Sequence, residues 1–204
     1  MRILSLCFLL YYVSVFGQNW EVKRHPNNGK MAIIKEGQQI SSYRFTEVGE
    51  LSEGMCYVAE GDLYGYLNVQ GKLKTSYQFV LADNFTAGFA RVGDSLNQNI
   101  LNAQMRLILP NTYKHVRLPK HGLILVESHE GLWGAYDVNG RLKLPVVYTL
   151  PPIIVSKQII IVQLDDSYGV VDCDNKTVYN VSYQYISANG YGYKSGTYLR
   201  LFSN

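Results

Sequence analysis

Cysteine, tryptophan and methionine are sparse in this chain of 204 residues, which has three, two and four of them. The thiols have no repeated spacing, and His25, His115, His121 and His129 show no ligand spacing. No metal or other cofactor is expected. A Gly-rich phosphate loop, a G-x-S-x-G elbow and an H-E-x-x-H helix are all missing. Asp165-Asp166 reads as a turn between strands rather than a carboxylate pair for acid–base work. The chain therefore offers no catalytic residue and reads as a non-enzyme. Neither sign of charge dominates, with 19 basic and 16 acidic residues, so neither nucleic acid nor an anionic membrane surface is an expected partner. Alanine is scarce while Val, Ile, Leu and Tyr abound, which favours strands over helices.

One apolar run stands out, Ile3 to Phe16, preceded by Arg2. It is short for a membrane span, and no later stretch is longer, so no transmembrane segment is expected. With small residues near Gly17 it reads as an export signal over 1–17, cleaved before Gln18. The mature protein is then expected outside the cytoplasm, secreted, periplasmic or at the cell surface. Cys56 and Cys173 remain, and they are either a disulfide in that oxidising compartment or two buried thiols. Residues 18–29 read as an N-terminal strand or cap, with a strand near Trp20 to Lys23.

Residues 30–204 are repetitive. "LYGYLNVQGK" begins at Leu63 and "LWGAYDVNGR" at Leu132. The aromatic-Gly pair of Tyr64-Gly65 recurs as Trp133-Gly134 and Tyr168-Gly169, with a degenerate copy at Asn99. Three residues past the glycine stand Asn68, Asn102, Asp137 and Asp172. Six past it stand Gly71, Met105, Gly140 and Asn175, each followed by a basic residue: Lys72, Arg106, Arg141 or Lys176. A shortened first copy runs from Lys30 to Gln39. A tyrosine follows in every copy, Tyr43, Tyr77, Tyr113, Tyr148 and Tyr183, at separations of 34, 36, 35 and 35. Gly54, Gly88 and Gly122 mark a further element and lie 34 apart. This makes about five units of some 35 residues.

The motif resembles the WG-repeat family, whose pattern is an aromatic-Gly pair, Asp or Asn, Gly-Lys, Tyr, and then Phe-x-x-Gly before a last strand. The resemblance covers nearly all of the mature chain. It implies an all-β repeat array, usually in exported or envelope proteins, with no catalytic residues to carry over. Three departures mark the units expected to be most distorted: only Trp133 is the namesake Trp, unit three lacks both glycines, and unit one is a residue short.

Each unit predicts about three antiparallel strands. Asn139-Gly140 suits a two-residue type I′ hairpin turn, whereas Met105 does not, so a different turn is expected there. The glycine after the aromatic marks a bulge or close backbone approach, most simply beneath the ring of a neighbouring unit. The almost unbroken apolar strands "GLILVES" and "KQIIIVQL" imply burial on both faces. One such unit cannot bury its own apolar face, so neighbours must complete the core. An open or partly curled stack is expected, with a closed propeller-like ring as the alternative.

The candidate ligand-binding residues are Tyr43, Tyr77, Tyr113, Trp133, Tyr148 and Tyr183. As an aromatic ladder they would stack on sugar rings or a peptide; as structure they would pack on the next unit with their hydroxyls bonded to backbone. Gly65, Asn68, Gly71, Gly134, Asp137, Gly140, Gly169 and Asp172 are structural positions of the motif. Asp137 and Asp172 are expected to pair across the turn with Arg141 and Lys176. The expected function is a binding or scaffold module for a protein or envelope polysaccharide. The alternatives are a carbohydrate-binding domain using exposed aromatics and a hydrolase with its site in a ring centre.

Overall fold

The computed structural model describes residues 20–203, so the expected export signal lies outside the described residues. The described residues contain strands and turns and no α-helix. In chain order the strands are β1 (Trp20–Arg24), β2 (Met31–Lys35), β3 (Gln38–Gln39), β4 (Glu47–Val48), β5 (Met55–Glu60), β6 (Leu63–Asn68), β7 (Leu81–Ala82), β8 (Phe89–Gly93), β9 (Gln98–Asn102) and β10 (His115–Val116). There follow β11 (Leu123–Glu127), β12 (Trp133–Asp137), β13 (Leu142–Tyr148), β14 (Ile153–Ile154), β15 (Ile160–Leu164), β16 (Ser167–Val171), β17 (Thr177–Tyr183), β18 (Tyr185–Ile186), β19 (Tyr191–Lys194) and β20 (Thr197–Arg200). They form six small antiparallel sheets, none closed into a barrel. The fold is an all-β repeat. The described residues divide into two compact units, one ending at Gly88 and the other beginning at Phe89.

Five sequence repeats build six sheets because the two patterns are out of phase. In repeat four, the aromatic-Gly hairpin β12–β13 belongs to the fourth sheet, while its last strands β14 and β15 belong to the fifth. The same offset places β2–β3 in the first sheet and β4–β5 in the second. In the first sheet β1 takes the place that a preceding repeat's last strand would hold, pairing with β2 from Trp20↔Lys35 to Arg24↔Met31. Each repeat is thus split between neighbouring sheets, which ties their stabilities together.

The unbroken apolar strands follow from stacking. Along β11, Leu123 and Leu125 pack with Trp133, Ile160 and Val162, whereas Ile124 and Val126 pack with Ile100, Tyr113 and Tyr136. Alternate side chains leave opposite faces of a strand, so a strand covered on both sides has no polar position to spare. β15 repeats the arrangement, with Ile160 and Val162 on one side and Ile161 on the other. The first compact unit has its own core of Trp20, Ile33, Phe45, Cys56, Val58 and Leu67.

The conserved-looking Asn or Asp has one job in four copies. Asn68, Asn102, Asp137 and Asp172 each close a three-residue loop in which the side-chain oxygen accepts the backbone N–H groups two and four residues on, at 2.8–3.0 Å. Their carbonyls accept the N–H of Gly71, Met105, Gly140 and Asn175 at 2.8–3.0 Å. Two expectations are corrected here. Asn139-Gly140 is not a type I′ pair: only Gly140 has positive φ, at 79°, as the bulge residue that ends a three-residue loop. Met105 makes the same turn as the others at φ 60°, so unit three is not distorted there. Its Asn102 ties the loop firmly enough to hold a residue that disfavours this region. The Asp carboxylates bind the backbone N–H of Arg141 and Lys176, where side-chain pairing was expected.

True type I′ geometry occurs where the Phe-x-x-Gly glycines stand. Glu53-Gly54, Ala87-Gly88 and His121-Gly122 all have positive φ, at 52° and 78°, 51° and 83°, and 50° and 82°. Asp165-Asp166 is a two-residue turn between β15 and β16, paired at Leu164↔Ser167. Met105→Gly relieves about 1–2 kcal/mol of left-handed strain. It returns part of that as unfolded-chain entropy, so a net gain of about 0.5–1 kcal/mol is expected. Thermal melting should show a midpoint roughly 2 °C higher.

Candidate binding face

The aromatic column is real, but its register differs from the sequence reading. The residue at the aromatic-Gly position pairs with one particular aromatic further on: Met31↔Phe45, Tyr64↔Phe79, Gln98↔Tyr113, Trp133↔Tyr148 and Tyr168↔Tyr183. The column therefore begins with Phe45 and Phe79, and Tyr43 and Tyr77 fall two residues short of it. The position selects a large ring on a buried face, and phenylalanine serves as well as tyrosine. Spacing carried the signal: the corrected separations are 34, 34, 35 and 35.

Most of these rings serve the core. Phe45, Phe79, Tyr113, Trp133 and Tyr148 are between 0% and 8% exposed. The Tyr113 hydroxyl donates to that of Tyr136 at 2.7 Å, and the Tyr148 hydroxyl donates to Asn175 Oδ1 at 2.8 Å. Tyr183 packs against the core of Ile161, Val170 and Ile186, with the Lys194 ammonium 5.5 Å from its ring centre. Tyr77 packs on the first unit's core, and Tyr43 meets His25 edge-on at 5.1 Å. Trp133 is covered by the Arg117 guanidinium, 4.9 Å from the ring centre. Arg117 and Lys120 rim a pocket of about 270 Å³ floored by Leu123, Leu125, Pro152 and Ile154.

Backbone, not a neighbouring ring, lies over the motif glycines. A Cβ on Gly134 would sit 2.8 Å from the carbonyl oxygens of Leu144 and Pro145 and from Val146 Cα. On Gly169 it would meet Val181 Cα and N at 2.9 Å. Register shifts in the β12–β13 and β16–β17 pairings flank these two glycines, as bulges do. Repeat three solves the same problem differently. Asn99, 5% exposed, accepts the N–H of Ile100 and Leu109 and donates to the carbonyls of Leu109 and Asn111, at 2.7–3.2 Å. Beside it, buried Gln98 accepts the Val116 N–H at 3.1 Å.

A different set of tyrosines faces solvent. In the sixth sheet the pairings Tyr185↔Tyr193 and Tyr193↔Tyr198 align three rings across three strands, and Tyr191↔Arg200 adds a fourth ring and a guanidinium. Directly opposed residues share a face. The other face carries Ile186, which is buried with Ile161 and Val170, so the tyrosines point away from the core. Tyr185, Tyr191 and Tyr198 are 52%, 46% and 72% exposed. Arg200 lies over Tyr191 at 5.8 Å, and Tyr193 and Tyr198 are 4.8 Å apart, centre to centre. None of these four hydroxyls has a hydrogen-bond partner among the described residues, unlike those of Tyr113 and Tyr148. This group stands outside the repeated aromatic column, so spacing does not reveal it. Its signal is compositional: residues 175–204 hold six of the seventeen tyrosines and no Asp or Glu.

The repeat's identity follows from the matched segment. Residues 64–93 fit the family model described as WG containing repeat. Residues 64–93 thus carry a WG repeat. No curated protein matches it. The matched WG repeat begins at the aromatic of Tyr64-Gly65 and ends with the strand after Gly88, which is the phase seen in the sequence rather than in the sheets.

Among the described residues no three His, Cys, Asp or Glu side chains gather as a metal-holding group. Cys56 and Cys173 are both free thiols. Burial pushes the Cys56 thiol from 9.0 to about 12, and burial with the adjacent Glu47 carboxylate pushes Tyr57 from 10.0 to about 12. Tyr57 and Tyr64 both donate to Glu47, at 3.0 and 2.7 Å. Folding thus favours the protonated thiol and phenol. The unfolded chain sheds those protons first, so this stabilisation is complete below pH 9.0 and is lost as pH climbs towards about 12. Denaturant titrations across that range should show stability falling, with a shallower fall in Cys56→Ala.

Proposed function

We propose that this protein is a non-enzymatic binding module working outside the cytoplasm, and that its sixth sheet presents the contact face to a protein or polysaccharide. One observation carries this reading: the repeat aromatics are spent on packing, whereas four tyrosines outside the register stand together on one face with unpartnered hydroxyls. Amphipathic rings of this kind supply much contact area at low conformational cost. The extracytoplasmic part rests on the apolar segment Ile3 to Phe16. Recovery of secreted chain beginning at Gln18 supports it, and retention of Met1 counts against it.

Iodination tests the face. Tyr185, Tyr191 and Tyr198 should react in the free protein while Tyr113 and Tyr148 stay protected. Fractions from the protein's own cell envelope should then shield the first three. Equal reactivity with and without every fraction removes the reading.

A further inference from the structure

We propose that the tyrosine face of the sixth sheet binds an acidic polysaccharide, its sugar rings stacked across Tyr185, Tyr193 and Tyr198 and a carboxylate held by Arg200; this rests on the binding-module reading above. The three rings occupy three adjacent strands in direct register. Strands lie ~4.8 Å apart, so the outer two rings are separated by roughly 10 Å. Two sugar rings of an extended chain cover a similar length, so each outer tyrosine meets one ring. Sugars present C–H faces to aromatic planes and hydroxyls at their edges, and here each plane ends in a free phenol.

Charge narrows the ligand further. Residues 175–204 contain Lys176, Lys194 and Arg200 and no Asp or Glu. Lys194 is engaged on the opposite face, donating to Ser182 Oγ at 2.8 Å, which leaves Arg200 as the cation beside the tyrosines. A guanidinium binds carboxylate in bidentate fashion.

The test uses the full mature chain with polygalacturonate, alginate, neutral dextran and an oligothymidylate as probes, read by affinity electrophoresis and calorimetry. Both uronate polymers should bind and weaken with salt. Tyr185→Ala and Tyr198→Ala should each weaken binding about tenfold, on the scale of one lost aromatic contact. Arg200→Gln should weaken it and flatten the salt dependence. Val147→Thr, at a 42% exposed site in β13, should change nothing. Uronate binding untouched by Tyr198→Ala, dextran bound as tightly as alginate, or a preference for the oligonucleotide would each overturn the proposal. A dimer broken by Tyr198→Ala would give the face to a second copy and also overturn it. If no polysaccharide binds while an envelope protein still shields the tyrosines, this inference fails and the binding-module reading stands. If nothing shields them, both fail.

Discussion

Asn99→Leu is expected to destabilise the second compact unit by about 4 kcal/mol or more, enough to unfold a marginal domain. The carboxamide makes four hydrogen bonds to backbone groups of Ile100, Leu109 and Asn111 in a site 5% exposed. Leucine fills a similar volume and satisfies none of them. Each buried backbone group left without a partner costs about 1–3 kcal/mol. Asn99→Gly would restore the family's residue type but should not rescue stability. The backbone of residues 108–111 is arranged around an amide, and glycine leaves the same four groups bare. Urea denaturation of the two variants and the parent decides the matter. A glycine variant as stable as the parent would mean that the strand re-registers into the geometry of repeats two, four and five.

Gly134→Val should be of comparable size, about 3 kcal/mol or more, with a melting midpoint lower by roughly 10 °C. Here the cause is steric. The added Cβ would fall 2.8 Å from two carbonyl oxygens and one Cα of β13, all of them backbone, which cannot swing aside as a side chain can. Relief requires moving β13, and with it Leu144 and Tyr148, which belong to the core between the fourth and fifth sheets. The phase offset between repeats and sheets then spreads the damage from β12–β13 to β14–β15. Val147→Thr on the exposed side of β13 is the matching control, expected within about 0.5 kcal/mol of the parent. If Gly134→Val melts with that control, the close approach at this glycine is not what keeps the position small.

These two sites show that one packing demand can be met by opposite chemistry. At Gly134 the neighbouring strand passes close because the side chain is absent. At Asn99 a polar side chain lies against that strand and bonds to its backbone. Read as letters, Asn99 is an eroded glycine. In the fold it is a buried clamp, and Gln98 beside it replaces a ring with an amide that also reaches backbone.

The amino-acid sequence alone determined the repeat, its period of about 35 residues, the strand-rich class and the Asn or Asp at each hairpin, because all of these are local. Alternation, turn chemistry and spacing act within a few residues and leave marks on the letters. Tertiary structure decided the rest. It moved the column from Tyr43 and Tyr77 to Phe45 and Phe79, since register depends on which backbone groups meet across strands and not on matching side-chain names. It put the type I′ turns at Gly54, Gly88 and Gly122 and not at Asn139-Gly140, since loop length is set by where pairing resumes. It also divided the tyrosines into those buried in the core, such as Tyr113 and Tyr148, and those left at the surface, such as Tyr185 and Tyr198. Burial and hydrogen bonding belong to the assembled sheets, and a list of tyrosines does not contain them.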